Sequence, residues 1–349
     1  MGIKDLNKFI TIFAPGAIKK VDISKYKGKV LAVDTSIFLY KFKYSYKLLD
    51  SFLQQYVHFK KEGIELIYIF DGPPPKEKEY ILEIRKNSND KKNSKIQDLE
   101  LKLSEMKLDN TADNTADNTA DNTADKKQEI KNLDKQLKEA KKRFIVITKE
   151  DINNVKRLFD IIGAKYIIAK CEADTVCCDL YKRGIVQGCI SNDMDFLPSG
   201  TGILIRNYNL GNMVDEYNLE KVLELSDLTY DKFVDFCILC GCDYTCKIHR
   251  LGFTTAYKSL KKYENIEEII ENLCIKEEKY KLPENFNYET ARKLLKNEEN
   301  KLEEYEIMNN SFMINEEEKV NNIKFISDNT RYSSVQLNNR LKIIFSNIK

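Results

Sequence analysis

The sequence predicts an α/β protein with a mostly parallel central sheet flanked by helices and interrupted by a long helical insertion. Two observations carry this. Short β-branched or apolar runs alternate with longer amphipathic stretches, the pattern of strands joined by helical crossovers. Between residues 76 and about 148 the alternation stops, and only highly charged sequence with helical periodicity follows.

In chain order, VLAVD (30–34), ELIYIFD (65–71), AKYIIA (164–169) and GCISND (188–193) read as strands, with amphipathic helices at 48–60 and 151–162 between them. Three of these four runs end in an aspartate: Asp34, Asp71 and Asp193. Ligands of open parallel sheets bind beyond the carboxyl ends of the strands, so the acids are delivered to the edge where chemistry is expected. In the insertion, Ile96, Leu99, Leu103 and Met106 form one apolar face and Ile130, Leu133, Leu137 and Ala140 another, which predicts a pair of helices. They are joined by residues 109–125, four tandem Asn-Thr-Ala-Asp repeats that place five aspartates four residues apart. As a helix this ladder would stack like charges, and Asn and Thr are indifferent helix formers, so a low-complexity loop is expected. It lacks the glycine and the bidentate glutamate of a calcium loop. After Tyr217 the chain reads as helical to its end. The expected division is an N-terminal region 1–75, a helical insertion 76–148, an internal region 149–262 and a helical C-terminal region 263–349.

The 57 Lys+Arg nearly balance 55 Asp+Glu, so no global positive field advertises a nucleic-acid partner and any such binding must be local. Residues 126–143 supply one local source, with eight Lys/Arg against three acids. With two histidines, His58 and His249, a mechanism built on a histidine base is not expected, which leaves carboxylates as the reactive groups. No apolar run approaches the roughly 18 residues of a membrane span. Nine cysteines without a secreted-type framework predict reduced thiols in an intracellular protein.

Seven acids stand out by position: Asp34, Asp71, Glu172 and Asp174 in KCEADT, Asp193 and Asp195 in SNDMDFL, and Asp243 in GCDY. Singly, each is also a good helix cap or turn residue. Together they repel and call for cations, and oxygen donors without histidine or thiolate suit Mg²⁺ or Mn²⁺ rather than zinc. Seven suffice for two ions, which at about 4 Å apart serve phosphodiester hydrolysis. CILCGCDYTCKIH invites a zinc reading through Cys237, Cys240, Cys242, Cys246 and His249, but it holds one C-x-x-C and no second pair, so buried thiols ending a helix begun at Tyr230 are favoured.

MGIKDLNKFI, APGAIKKVDI, VLAVDTSIFLY, YIFDGPPP, EADTVCCDL, SNDMDFL and FVDFCILCGCDY together resemble the flap endonuclease branch of the XPG-type structure-specific 5′ nucleases, over residues 1 to about 273. The resemblance implies a PIN-like nuclease fold, with 76–148 as a helical arch through or under which a 5′ single strand passes. It implies a helix-hairpin-helix-like element near residue 250. Asp34, Asp71, Glu172 and Asp174 would serve mainly one ion, and Asp193, Asp195 and Asp243 the other. Lys78 and Arg85, seven residues apart on the helix after DGPPP, match a basic pair that contacts the scissile phosphate. Tyr40 matches an aromatic platform for a base, and Gly2 a small residue beside the metal site. The implied activity is divalent-metal-dependent cutting of DNA bearing a 5′ flap or other branch, in replication and repair, with 5′→3′ exonuclease activity beside it. The implied compartment is the nucleus of a eukaryote, or otherwise the cytoplasm or a site of viral DNA replication. A catalytically weak DNA-binding scaffold is the competing reading, although none of the acids or the basic pair is missing.

Three departures qualify the resemblance. HRLGFTTAY carries Arg250 where the family's hairpin begins with glycine and keeps only Gly252, which leaves K⁺ binding and the strength of duplex grip open. The loop after Tyr40 is short, which leaves strict double-flap preference open. The end, RLKIIFSNIK, shows neither a sliding-clamp motif nor a basic tail, and a monomer is expected.

Overall fold

A computed structural model describes residues 3, 5–45, 47–112, 120–277, 279–297, 305–308 and 316–345. Among these, seven strands form one sheet: β1 (Ile18–Asp22), β2 (Val30–Asp34), β3 (Glu65–Phe70), β4 (Lys165–Ile168), β5 (Cys189–Ile190), β6 (Ile203–Arg206) and β7 (Met213–Asn218). Their spatial order is β1-β7-β6-β5-β2-β3-β4. β6, β5, β2, β3 and β4 run parallel, whereas β7 is antiparallel to both β6 and β1. The four expected strands are all present, although the fourth stops at Ile190, which leaves Asp193 in the loop beyond it. β2 lies between β3 and β5, so the chain leaves β2 in one direction across the sheet and later returns on its other side. That switch opens a crevice at the carboxyl ends of the central strands.

The helices are α1 (Leu6–Phe13), α2 (Thr35–Tyr44), α3 (Leu48–Lys61), α4 (Glu79–Ala112), α5 (Ala120–Arg143), α6 (Lys149–Ile162), α7 (Ala173–Lys182), α8 (Leu219–Ser226), α9 (Tyr230–Cys240), α10 (Phe253–Lys262), α11 (Ile266–Ile269), α12 (Tyr288–Lys296), α13 (Glu316–Asn329) and α14 (Ser334–Phe345). They cover both faces of the sheet. Along β3, Leu66, Tyr68 and Phe70 enter one core with α2, α3, α6, α13 and α14, while Ile67 and Ile69 enter the other with α1, α7, α9 and α10. The two-residue alternation of a pleated strand thus feeds two hydrophobic layers, which explains why the strand reads as continuously apolar. Local sequence fixes the ends of α6: Thr148 and Asp151 form a reciprocal capping box, and Gly163 closes the helix at φ 67°.

α4 and α5 pack on each other through a small core of their own, with Ile96, Leu99, Leu103 and Leu137 buried and Ile130, Leu133, Ala140 and Phe144 beside them. α4 continues to Ala112 and α5 starts at Ala120, so both ends of the acidic ladder are helical, contrary to the expected loop; residues 113–119 lie outside the described residues. Repulsion at four-residue spacing costs only about 0.2–0.5 kcal/mol per pair, and extending an existing helix needs no new nucleus. Among the described residues, no helix is long and apolar enough to cross a membrane.

Candidate active site

Each of the seven acids sits at or just beyond the carboxyl end of a strand, or on a loop packed there. Asp34 ends β2 and caps α2; one carboxylate oxygen accepts from the Ile37 amide at 3.4 Å and the other from the Ser191 hydroxyl at 2.8 Å. Asp34 therefore caps a helix and at the same time faces the other acids. Asp71 follows β3, and its Oδ1 accepts from the amide of Ala173 at 2.8 Å, in the first turn of α7. Beside it the Gly72 amide donates to the Cys171 carbonyl at 2.6 Å, and a Cβ on Gly72 would stand 2.3 Å from the Ala169 oxygen. Only glycine permits the loop bearing Asp71 to lie this close to the loop bearing Glu172 and Asp174.

On the opposite side, Asp193 Oδ1 accepts from the Asp195 amide at 3.2 Å, and Asp195 Oδ1 accepts from the Ile3 amide at 2.8 Å. The beginning of the chain is thereby tied to the centre of the site. Gly2, expected there, lies outside the described residues. Asp243 arrives from the loop after α9, two residues past Gly241, whose φ of 102° suits glycine alone.

Asp34 and Asp195 form the buried floor, Glu172, Asp174, Asp193 and Asp243 are half-buried, and Asp71 is exposed. Burial pushes the Asp34 carboxyl up to about 8, helped by the charges of Asp71, Asp193 and Asp174. Asp174 is raised to about 7 by burial and by Glu172 and Asp193, against the opposing effect of Lys78. Burial, then Asp193, Asp243 and Asp174, raise Asp195 as well. Every one of the seven acids is thus within electrostatic reach of another, and the group carries more negative charge than its setting tolerates.

Cations meet this charge from one side. Lys78 Nζ lies 2.6 Å from Glu172 Oε1 and 3.9 Å from Asp243 Oδ2, and Arg85 Nη2 lies 2.6 Å from Asp243 Oδ2. Burial would lower the Lys78 pKa, but Asp174, Glu172 and Asp243 more than offset it and hold the ammonium charged. Lys78 ends a short 3₁₀ turn (Lys76–Lys78) ahead of α4 rather than lying on the helix as expected, yet both cations reach the cluster. Among the described residues, no three Asp, Glu, His or Cys side chains close into a formed metal cage. The donor set nevertheless fits hard divalent cations: all oxygen, crowded, and ionised only at a cost that a cation would remove. Cys237 and Cys240 are buried in the core side of α9, where the helix reading puts them.

Some sequence-derived candidates lie apart from this network. Tyr40 stands on α2 with 49% of its surface exposed. Arg250 and Gly252 form the turn into α10, and Arg250 adopts φ 63°, the left-handed conformation glycine would take without strain. Other residues that hold the acids escaped the sequence reading. Ser191 donates to Asp34 and accepts from the Asp193 amide. Arg206 donates to the Asn192 carbonyl at 2.9 Å and packs over the ring of Tyr217, whose hydroxyl donates to Asn7. Tyr244 donates to Glu172 at 3.3 Å and lies under Lys78. Ser191 was signalled by its place in SNDMD; Arg206 carries no local signal, because its role depends on the pairing of β6 with β5 and β7.

Known proteins with related sequences bear on this geometry. The chain matches the XPG N-terminal domain over residues 1–92 and the XPG I-region over residues 163–243. The curated flap endonuclease 1 of Entamoeba histolytica is 32% identical over 315 residues, covering 84% of this chain and 75% of that protein. The chain belongs to the flap endonuclease branch of the XPG family. Flap endonuclease 1 of Plasmodium falciparum is 33% identical over 325 residues, covering 84% of this chain but 45% of that protein, so the chain spans about half the length of this relative. The solved structure of flap endonuclease-1 from Methanococcus jannaschii has the same fold, with a TM-score of 0.61 and 22% identity over 97% of each chain. Within this XPG member, all seven acids together with Lys78 and Arg85 fall inside the two matched stretches, and the acidic ladder falls outside both.

Proposed function

We propose that this protein is a structure-specific 5′ nuclease that hydrolyses DNA phosphodiesters at 5′ flaps and related branches in replication and repair, with 5′→3′ exonuclease activity beside it. One observation carries the reading: seven carboxylates from five separate segments converge at a sheet switch point, with Lys78 and Arg85 aimed into them. Asp34, Asp71, Glu172 and Asp174 would hold one Mg²⁺ and Asp193, Asp195 and Asp243 a second, with Mn²⁺ as a substitute. When bound, the ions would supply a nucleophile at neutral pH and neutralise the leaving oxygen.

The protein's own groups do the rest. Lys78 and Arg85 swing from Glu172 and Asp243 toward the non-bridging oxygens of the phosphate, where their charge offsets what develops in the transition state. The Ile3 amide, Ser191 and Arg206 keep the Asp34 and Asp193–Asp195 carboxylates oriented. Tyr40, exposed on α2, offers a face for a base. The pair α4 and α5 encloses the path of the 5′ single strand, and Arg250 with Gly252 faces the duplex backbone. In a eukaryotic cell such a protein acts in the nucleus. The test is cleavage of an end-labelled 5′-flap substrate in Mg²⁺ and in Mn²⁺. Release of the flap strand supports the reading; an intact substrate in both ions replaces it with a DNA-binding protein that keeps the fold without turnover.

A further inference from the structure

Behind the first turns of α4 lies a cavity of about 620 Å³, between Glu77, Tyr80 and Ile81 on one side, the loop from Gly241 to Lys247 on another, and the turn before α12 on the third. It shares Asp243 and Tyr244 with the carboxylate cluster, while Glu77, Tyr80, Ile81 and the residues before α12 carry none of the roles above. Its size falls within the roughly 300–1,000 Å³ typical of small-ligand sites.

We propose that this cavity is a subsite for one unpaired nucleobase of the cut strand, and that it sets a preference for substrates whose single-stranded flap carries a base beside the scissile phosphate. The inference deepens the proposed nuclease function and rests on it. The chemistry of the walls selects the occupant. Tyr80, with 60% of its surface exposed on α4, and Tyr244 on the opposite loop supply aromatic surface, and Ile81 an apolar edge. Every base has a π-face, so such walls bind without reading sequence. Thr245, Asn287 and Thr290 place hydroxyl and amide groups on the cavity; the Thr245 hydroxyl donates to the Asn285 carbonyl at 3.3 Å and keeps lone pairs to accept from a base edge. The Asn287 side-chain oxygen is already engaged by the Thr290 amide at 3.1 Å, which fixes the Asn287 side chain as the cap of α12 and leaves its amide nitrogen to donate. Glu77 and Asp243 make the cavity unfavourable for a phosphate, while Lys247 on its wall favours one at the edge. That polarity admits the base and keeps its phosphate outside. Asp243, common to cavity and cluster, sets the reach: a base held here is tethered within a nucleotide or two of the scissile bond.

The experiment compares flap substrates that carry either a base or an abasic residue at each of the first three flap positions, with the full-length protein in Mg²⁺. At one of these positions, the wild type is expected to show KM roughly tenfold higher for the abasic form, in line with the worth of one stacked base. Tyr80→Ala removes a wall at an exposed helix position, and Thr290→Trp fills the cavity. In both, the ratio of abasic to base-bearing KM is expected to fall to about one. A wild-type ratio near one at all three positions, or a ratio that stays near ten in both variants, overturns the subsite. Absence of cleavage of any flap by the wild type overturns the nuclease reading itself, and so is told apart from failure of the subsite.

Discussion

Asp195 is the single side chain whose removal should separate binding from chemistry most cleanly. It is 3% exposed, and its carboxylate accepts from the Ile3 amide while facing Asp193, Asp243 and Asp174. Asp195→Asn keeps the shape and one acceptor oxygen but removes charge, so kcat on a flap substrate is expected to fall by about 10³-fold or more while Kd for the same DNA, measured in Ca²⁺, moves by no more than about threefold. A loss of binding equal to the loss of cleavage would show a structural role instead. Glu216 gives a test of stability away from the site. Burial acts to raise its pKa, but hydrogen bonds from Lys25 and from the Tyr26 hydroxyl at 2.6 Å more than offset that and hold it below the usual value. A group depressed by folding stabilises above its unfolded pKa, and that stabilisation is lost as pH falls through the folded value. Glu216→Gln is therefore expected to cost about 1–2 kcal/mol in urea unfolding at pH 7, with the gap closing as the pH falls below about 4.5. Arg250 supplies a third case. In the left-handed region a non-glycine residue costs about 1–2 kcal/mol, while glycine restores unfolded-chain entropy worth about 0.5–1 kcal/mol. Arg250→Gly should leave stability within about 1 kcal/mol of wild type yet weaken duplex binding several-fold, because a guanidinium is lost from the proposed contact with the DNA backbone.

At the level of elements, β3 and α7 show how tightly the acids depend on backbone packing. Gly72→Ala would force the Asp71 loop away from the Ala169 and Cys171 carbonyls, shifting Asp71 relative to Glu172 and Asp174. Displacements of about 1 Å at a reacting centre cost up to 10²-fold, so a large loss in kcat/KM with a folded, cooperative protein is the expected result of an activity and thermal-melt comparison. The paired helices α4 and α5 are held by few apolar residues. Leu137→Asp should make residues 79–143 the first site of limited proteolysis while leaving the main melting transition in place. Much of this was legible in the sequence because it is local: β2, β3 and β4 are apolar runs, α3, α6 and α9 have a 3.6-residue period, and the two apolar faces of α4 and α5 found each other. The edge strand β1 was missed because IKKVD exposes its lysines and has no apolar run, and β6 and β7 because a four-residue strand and an alternating MVDEYN look like loop. The helical ends of the acidic ladder are not legible locally, because the repulsion lies within the repeat whereas the helices that extend into it, α4 and α5, begin outside it or continue beyond it. Individual acids were visible, but their supports, such as Arg206 and the Ile3 amide, depend on contacts 14 and 192 residues away in sequence.

For the molecule as a whole, a formal net charge of +2 leaves little long-range attraction to DNA. The proposed binding would have to come from local cations, and each phosphate neutralised contributes a slope of about −0.9 to log K against log salt. Exchanging Lys126, Lys127 and Lys131 for glutamine is expected to reduce that slope for flap-bearing DNA while barely altering it for blunt duplex, if α5 guides the single strand. The two hydrophobic layers make the sheet a rigid base that holds the acids at its switch point in register. The most direct measurement of the central claim is cation binding to the seven-acid cluster, followed by calorimetry with Mn²⁺ in the absence of DNA and run alongside flap cleavage. Wild-type protein should bind Mn²⁺ and cut the flap, and the double variant Asp34→Asn with Asp195→Asn should lose both while remaining folded. Cleavage that survives in that folded double variant, or Mn²⁺ binding unchanged by it, would contradict the account.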